Sequence, residues 1–371
     1  MRPIVPLVVR QLVRTVGALP EPVQRSLAGP PRYVDGQRLA TEVQLALRLL
    51  HLVQRDDGVP DGDVARQVSV LRARTRAQAA LFGASPRVGL VVDIEVPGTA
   101  GPIPARLYRG NTREPLEGAV VYLHGGGWVV GDLDTADGIC RTLAASSRLA
   151  VVSVDYRLAP EHPFPAAVTD AIDAFRWVRD HPRTLRDDAT TDGAEPSALP
   201  VAVAGDSAGA TLATVVARET RDDERAHGGS GGPAFQLLLY PGADLSRHAR
   251  SYELFGTGYR LGTDMIDWYR EVYLAGADAT DPRASPLLAE DLSGVAPAHV
   301  VVAGFDVLRD EGIAYAERLR AAGVPTTLRV EAELVHAFAN ATGVGRTGAA
   351  ALGRAVTALT HGVRAASGTP A

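Results

Sequence analysis

Hydrophobic residues recur along this chain with two different spacings. Over residues 1–85 the spacing is helical. Val9, Leu12, Val13 and Val16 share one helical face, as do Leu39, Val43, Leu47 and Leu50, and residues 64–82 continue the pattern with Arg66, Arg72, Arg74 and Arg76 among the polar positions. Pro20, Pro30, Pro31 and Pro60 punctuate these pieces, and no strand is expected among them. From residue 86 the texture changes to short β-branched runs at 89–96, 105–109, 119–123, 149–155, 200–204, 235–239, 299–303 and 326–330. Helical stretches at 166–179, 208–220, 310–322 and 349–363 alternate with them. Strands and helices in alternation predict an α/β fold with a mostly parallel eight-stranded sheet and helices on both faces. Near-continuous apolar runs such as 298–303 suit strands buried on both sides. Residues 183–199 and 221–234 read as surface loops. Residues 244–286, with Tyr252, Phe255, Tyr259, Trp268, Tyr269 and Tyr273, read as an insertion that covers something.

Composition narrows this picture. With 371 residues, 46% hydrophobic and 22% charged, the chain can bury a sizeable core, which excludes a disordered chain or a rod. The net charge of −5 gives no basic footprint for nucleic acid. All 38 basic residues are arginine. Cys140 stands alone, so there is no intrachain disulfide and no C-x-x-C metal site. No apolar run approaches the ~20 residues of a membrane span. Pro6, Arg10 and Arg14 interrupt the N-terminal apolar run, so it reads as structure rather than a leader, and the expected compartment is the cytoplasm. A secondary reading lays the N-terminal helix, with Arg2, Arg10 and Arg14, on an anionic membrane surface; packing onto the body is preferred.

The chemistry concentrates in four places. Gly205-Asp206-Ser207-Ala208-Gly209 follows a predicted strand and opens a predicted helix, the context of a G-x-S-x-G nucleophile elbow. Only small residues fit two places either side of the serine, and the helix N-terminus aims N–H groups and its positive dipole end at it. His124-Gly125-Gly126-Gly127-Trp128 also follows a strand. Its glycines let backbone N–H groups approach a developing oxyanion. A serine needs a base, and the base an orienting carboxylate. Of the downstream histidines only His336 follows the final strand and its loop, His361 sitting on the predicted last helix, and Asp306 leaves the carboxyl end of the strand before it, where open sheets bind ligands. Asp310 and Glu311 read as a helix N-cap and a first-turn acid. His124 is read as shaping its loop. The prolines of Tyr156–Glu161 and just beyond (Pro160, Pro163, Pro165) are read as structural.

His124-Gly125-Gly126-Gly127-Trp128, Tyr156–Glu161, Gly205–Gly209, the run from Asp306 to Gly312 and the late His336 stand in the order and spacing of one family. Over residues 89–371 the chain resembles the bacterial serine carboxylesterases of the hormone-sensitive-lipase family of α/β-hydrolases. The resemblance implies an N-terminal helical cap over 1–85 and a catalytic domain over 86–371, with 244–286 adding to the cap. It implies a Ser207–His336–Asp306 triad and an oxyanion hole from the N–H groups of Gly125, Gly126 or Gly127 with that of Ala208. No metal or organic cofactor is implied, and the partner is a small-molecule ester hydrolysed through an acyl-enzyme, with short to medium acyl chains expected. A homodimer is left open. Val307 and Ala337 depart from the family's usual D-P-L and H-G-F, and Ala337 touches the loop beside the base. A receptor-like protein of the same fold would lack a triad residue. An epoxide hydrolase or dehalogenase would carry aspartate at the elbow. An amidase or peptidase shares the triad chemistry.

Overall fold

The structure, a computed structural model, describes residues 15, 19–53, 58–112, 114–186, 199–221, 223 and 231–368. The apolar face at Val9, Leu12, Val13 and Val16, and most of the two expected surface loops, lie outside the described residues.

Eight strands form one sheet: β1 (Leu90–Gly98), β2 (Gly101–Arg109), β3 (Gly118–Leu123), β4 (Leu149–Val154), β5 (Val201–Asp206), β6 (Gln236–Leu239), β7 (Ala298–Phe305) and β8 (Thr326–Val335). Their spatial order is β8-β7-β6-β5-β3-β4-β2-β1. β2 pairs antiparallel with both β1 and β4, and every other pairing is parallel. Every residue of β3 to β7 is buried. That is why these strands read as unbroken apolar runs rather than alternating ones.

The helices that flank the sheet are α4 (Leu133–Ser146), α5 (Ala166–Asp180), α6 (Ala208–Glu219) and α9 (Arg309–Ala321) between strands, and α10 (Thr347–Ala366) after the last one. They cover both sheet faces as two apolar layers. One contains Phe175, Leu212 and Tyr315, the other Ile139, Leu352 and Leu359.

Ahead of the sheet run α1 (Glu21–Ala28), α2 (Thr41–Val53) and α3 (Val64–Phe82), helical as the spacing predicts. One departure is a two-residue antiparallel ribbon, in which Tyr33–Val34 pairs with Gln37–Arg38 around Asp35 and Gly36, both at positive φ. Two-residue strands are too short to show periodicity. Arg72 fixes α3 to the body, donating to the Val129 and Ala159 carbonyls and pairing at 2.7 Å with Glu161. The segment 244–286 holds two further helices, α7 (Arg250–Phe255) and α8 (Thr263–Leu274). Among the described residues no helix is long and apolar enough to cross a membrane.

Candidate active site

Four strand ends meet at the carboxyl edge of the sheet: the Gly-rich loop after β3, the turn after β5, the exit of β7 and the residue after β8. The β5–α6 turn is tight. Ser207 has φ 53°, and its N–H is held by the Leu239 carbonyl at 2.9 Å. A side chain at Gly209 would run into the carbonyls of Leu123 and His124, and one at Gly205 into Gly209 itself. The elbow is therefore sterically specified by the sequence Gly205–Gly209.

His336 Nε2 lies 3.0 Å from Ser207 Oγ, and its Nδ1 lies 2.7 Å from Asp306 Oδ2. A carboxylate accepts, so Nδ1–H donates to Asp306 and the Nε2 lone pair faces the serine hydroxyl. The second Asp306 oxygen accepts the Leu308 N–H at 3.0 Å, and the carboxylate is fully buried. Tyr240 packs its ring against the imidazole at 4.8 Å. The residue after the histidine, Ala337, has φ 61°, a left-handed position that glycine occupies without cost.

The glycine loop divides into two parts. The Gly125 N–H donates to Asp206 Oδ1 at 2.9 Å, so it is not available to an oxyanion, and the expectation for that residue is corrected. Gly126 and Gly127 lie at φ 129° and 58°, and among the described residues their N–H groups have no protein acceptor. A side chain at Gly126 would strike Val130, and one at Gly127 the ring of Tyr269. Ala208, whose N–H has no partner within its own helix, opens α6 beside them. His124 shapes the loop as expected: its Nδ1 is 2.9 Å from the Gly125 carbonyl, its ring stacks on Tyr156 at 4.3 Å, and the Tyr156 hydroxyl donates to its carbonyl at 2.6 Å.

Asp206, inside the elbow motif, carries a role that sequence reasoning missed. Its carboxylate is buried and accepts from the Tyr122 hydroxyl at 2.6 Å as well as from Gly125. Burial raises its pKa, with Tyr122 and Gly125 opposing. The signal was the acid itself: a charged residue at the end of an apolar strand needs partners. Asp310 is likewise not the helix cap. α9 begins after Leu308 without a side-chain cap, and Asp310 pairs with Arg309 at 2.7 Å. Glu311 is an acid of the first turn, as expected, and its carboxylate is buried. It accepts the N–H groups of Ala243 and Asp244 at 2.6 and 2.7 Å and the Tyr252 hydroxyl at 3.0 Å.

Ser207 and His336 open into a cavity of about 260 Å³. Its apolar wall comes from α2 (Leu47, Leu50), α3 (Phe82), Val130, and the 256–274 segment (Leu261, Ile266). The buried serine–histidine–aspartate line, with N–H donors on two sides, can activate a hydroxyl and hold an oxyanion.

The family model for the alpha/beta hydrolase fold matches residues 120–340. The chain is 43% identical over 355 residues to carboxylic ester hydrolase LipN of Mycobacterium tuberculosis, covering 94% of this chain and 89% of that protein. It is 40% identical over 239 residues to ethyl acetate hydrolase of Pseudomonas putida, covering 64% of this chain and 71% of that one. Among solved structures, an ester hydrolase from the Lake Arreo metagenome superposes with a TM-score of 0.76 at 38% identity, covering 87% of this chain and 98% of that one. The monoclinic form of the Pyrobaculum calidifontis esterase gives 0.74 at 36%, covering 87% and 98%. The sheet order, the elbow and these likenesses agree: the chain belongs to the α/β-hydrolases, in their hormone-sensitive-lipase family.

Proposed function

We propose that this ester hydrolase cleaves short- to medium-chain carboxylic esters through an acyl-enzyme on Ser207. The observation that carries the reading is the continuous Ser207–His336–Asp306 line at 3.0 and 2.7 Å, opening on a small apolar cavity. Ser207 Oγ attacks the acyl carbon while His336 Nε2 takes its proton. His336 returns that proton to the departing alcohol, and water then enters by the reverse route. Asp306 holds the imidazole tautomer and balances the charge that His336 gains. The N–H groups of Gly126, Gly127 and Ala208 receive the oxyanion. Helices α1–α3 together with α7 and α8 act as the cap that limits acyl length. A cavity of about 260 Å³ falls just below the range of roughly 300–1,000 Å³ usual for ligand pockets, which favours small acyl groups. The compartment we propose is the cytoplasm, consistent with a lone, buried cysteine.

The test is a 4-nitrophenyl ester series from acetate to palmitate on the wild type and on Ser207→Ala. Turnover should peak at short to medium chains, and Ser207→Ala should lose on the order of 10⁶ in kcat with an unchanged fold. Turnover surviving in Ser207→Ala would place the nucleophile elsewhere. A palmitate optimum would reject the acyl-length reading alone.

A further inference from the structure

The loop after β3 passes through three consecutive residues at positive φ: Gly126 at 129°, Gly127 at 58° and Trp128 at 60°. Glycine sits there without cost, whereas a residue as bulky as tryptophan does so only where its surroundings hold it. On one side the backbone just past the glycines is braced by the Tyr156–Glu161 run and by α3. The Trp128 carbonyl accepts the Ala159 N–H at 2.9 Å, and the Val129 carbonyl accepts from Arg72 at 2.9 Å. The other side is met by α8. Tyr269 and Tyr273 stand four residues apart on it, so both rings leave the same helix face. The Tyr269 ring fills the space where a side chain at Gly127 would go. The Tyr273 ring stacks on the Trp128 indole, with centroids 4.3 Å apart and planes within 9°. Tyr273 is itself held: Phe164 meets its ring edge-on at 5.7 Å, and the Phe164 N–H donates to its carbonyl at 2.9 Å. Trp128 and Tyr269 line the cavity; Tyr273, 1% exposed, is not among the residues that do.

We propose that Tyr273 is a positioning residue for the oxyanion hole: its stack on Trp128 holds the loop so that the Gly126 and Gly127 N–H groups aim at the oxyanion. The direction of an N–H follows from the backbone dihedrals around it. Glycines have no side chain by which those dihedrals can be anchored, so the anchor falls to the next residue, Trp128. An oxyanion donor works by being fixed before the charge develops. A loop free to swing would bind the ester as before and stabilise the transition state less. Helix α8 thereby contributes to the chemical step as well as to the cap. The inference rests on Ser207-dependent ester hydrolysis and deepens it by tying one cap helix to the transition state.

The experiment follows 4-nitrophenyl butyrate hydrolysis by the full chain as wild type, Ser207→Ala, Tyr273→Phe, Tyr273→Leu and Tyr273→Met. Rates are expressed per active site, titrated by the 4-nitrophenol burst from diethyl 4-nitrophenyl phosphate, so losses of folded protein cancel. Wild-type turnover that Ser207→Ala abolishes tests the ester-hydrolase reading by itself. Tyr273→Leu, and Tyr273→Met, which fills the space without a ring, should each lower kcat roughly 10²-fold with KM little changed. Acylation and deacylation both pass through an oxyanion, so the two steps slow together and KM stays. The Ki of 1,1,1-trifluoro-2-hexanone, which adds to Ser207 as a hemiketal oxyanion, should rise in step with the loss of kcat/KM. Tyr273→Phe keeps the stack and removes a hydroxyl with no hydrogen-bond partner among the described residues, so it should retain most of kcat. An unchanged kcat in both ring-less variants overturns the proposal. So does a rise in KM at constant kcat, the mark of a pocket wall, or a Ki that stays put while kcat falls. A loss in Tyr273→Phe as large as in Tyr273→Leu also overturns it, since the hydroxyl and not the stack would then matter. A wild type inert toward the ester would overturn both readings.

Discussion

Asp206 and Ser207 are neighbours in the chain but bond to different parts of the site. Ser207 faces His336, whereas Asp206 reaches back to Tyr122 and Gly125 and so fixes the loop that carries Gly126 and Gly127. Asp206→Ala leaves a buried N–H and a buried hydroxyl unpaired and frees that loop. We expect kcat to drop roughly 10²-fold, the scale of one lost oxyanion donor, with KM little changed, in steady-state assays with 4-nitrophenyl butyrate. A rise in KM at constant kcat would mean that Asp206 shapes the ester pocket instead. Two acids near the base, Asp306 and Asp310, differ in what they bond. Asp306 touches His336 at 2.7 Å, while Asp310 pairs with Arg309, which also holds Asp35 at 2.8 Å. Asp306→Asn should cost about 10⁴ in kcat by presenting the wrong tautomer. Asp310→Asn should leave kcat near wild type and shift stability by about 1 kcal/mol or less, as partly exposed pairs do. A greater loss of kcat in Asp310→Asn would exchange the two roles. Ser207, His336 and Asp306 were legible because each closes a strand in a known order. The split within the three glycines was not, since identical residues carry no mark of which N–H a distant carboxylate has taken.

At the scale of elements, the strands announced themselves and the helices did so unevenly. All eight predicted runs became strands, with ends moved by a few residues; β8 gained the most, reaching Val335. Helix α4 was overlooked although Ala136, Ile139, Cys140, Leu143 and Ala144 bury one face at helical spacing and Asp132 with Thr135 forms a capping box. Its interior Gly138 is what weakened the pattern; a side chain there would meet the Ala84 carbonyl, just past α3. The meeting of α2, α3 and 256–274 over one cavity was beyond the sequence, because amphipathic spacing says that a face is buried but not against what. If the proposed cap limits acyl length, that convergence puts α3 among the elements that set it. Phe82, the last residue of α3, lines the cavity. Phe82→Ala should raise kcat/KM for 4-nitrophenyl octanoate relative to butyrate about tenfold, in keeping with the 1–3 kcal/mol at stake when an apolar pocket gains room for methylenes. An unchanged octanoate-to-butyrate ratio would show that Phe82 does not border the acyl chain.

Across the whole molecule, the insertion and the helix that follows Asp306 are joined through one buried carboxylate. Glu311 on α9 binds the backbone leaving β6 at Ala243 and Asp244 and the Tyr252 hydroxyl of α7, three separate stretches of chain. Burial raises its pKa from an ordinary 4.5 to about 8, against the pull of those three donors, with the nearby Asp244 charge adding to the rise. Between those two values the folded protein keeps a proton that the unfolded chain releases. The contribution of Glu311 is therefore fully present below about pH 4.5 and is lost as pH climbs through about 8. Glu311→Gln keeps an oxygen for the two backbone N–H groups and cannot ionise. Its Tm should consequently fall less than that of the wild type between about pH 5 and pH 9, whatever its starting value. Asp206, also raised by burial, titrates in the same sense in both proteins and drops out of the difference. Thermal melts followed by circular dichroism across that range decide the matter. Parallel Tm curves would mean that Glu311 stays ionised in the fold, so that its three donors outweigh the cost of burying the charge.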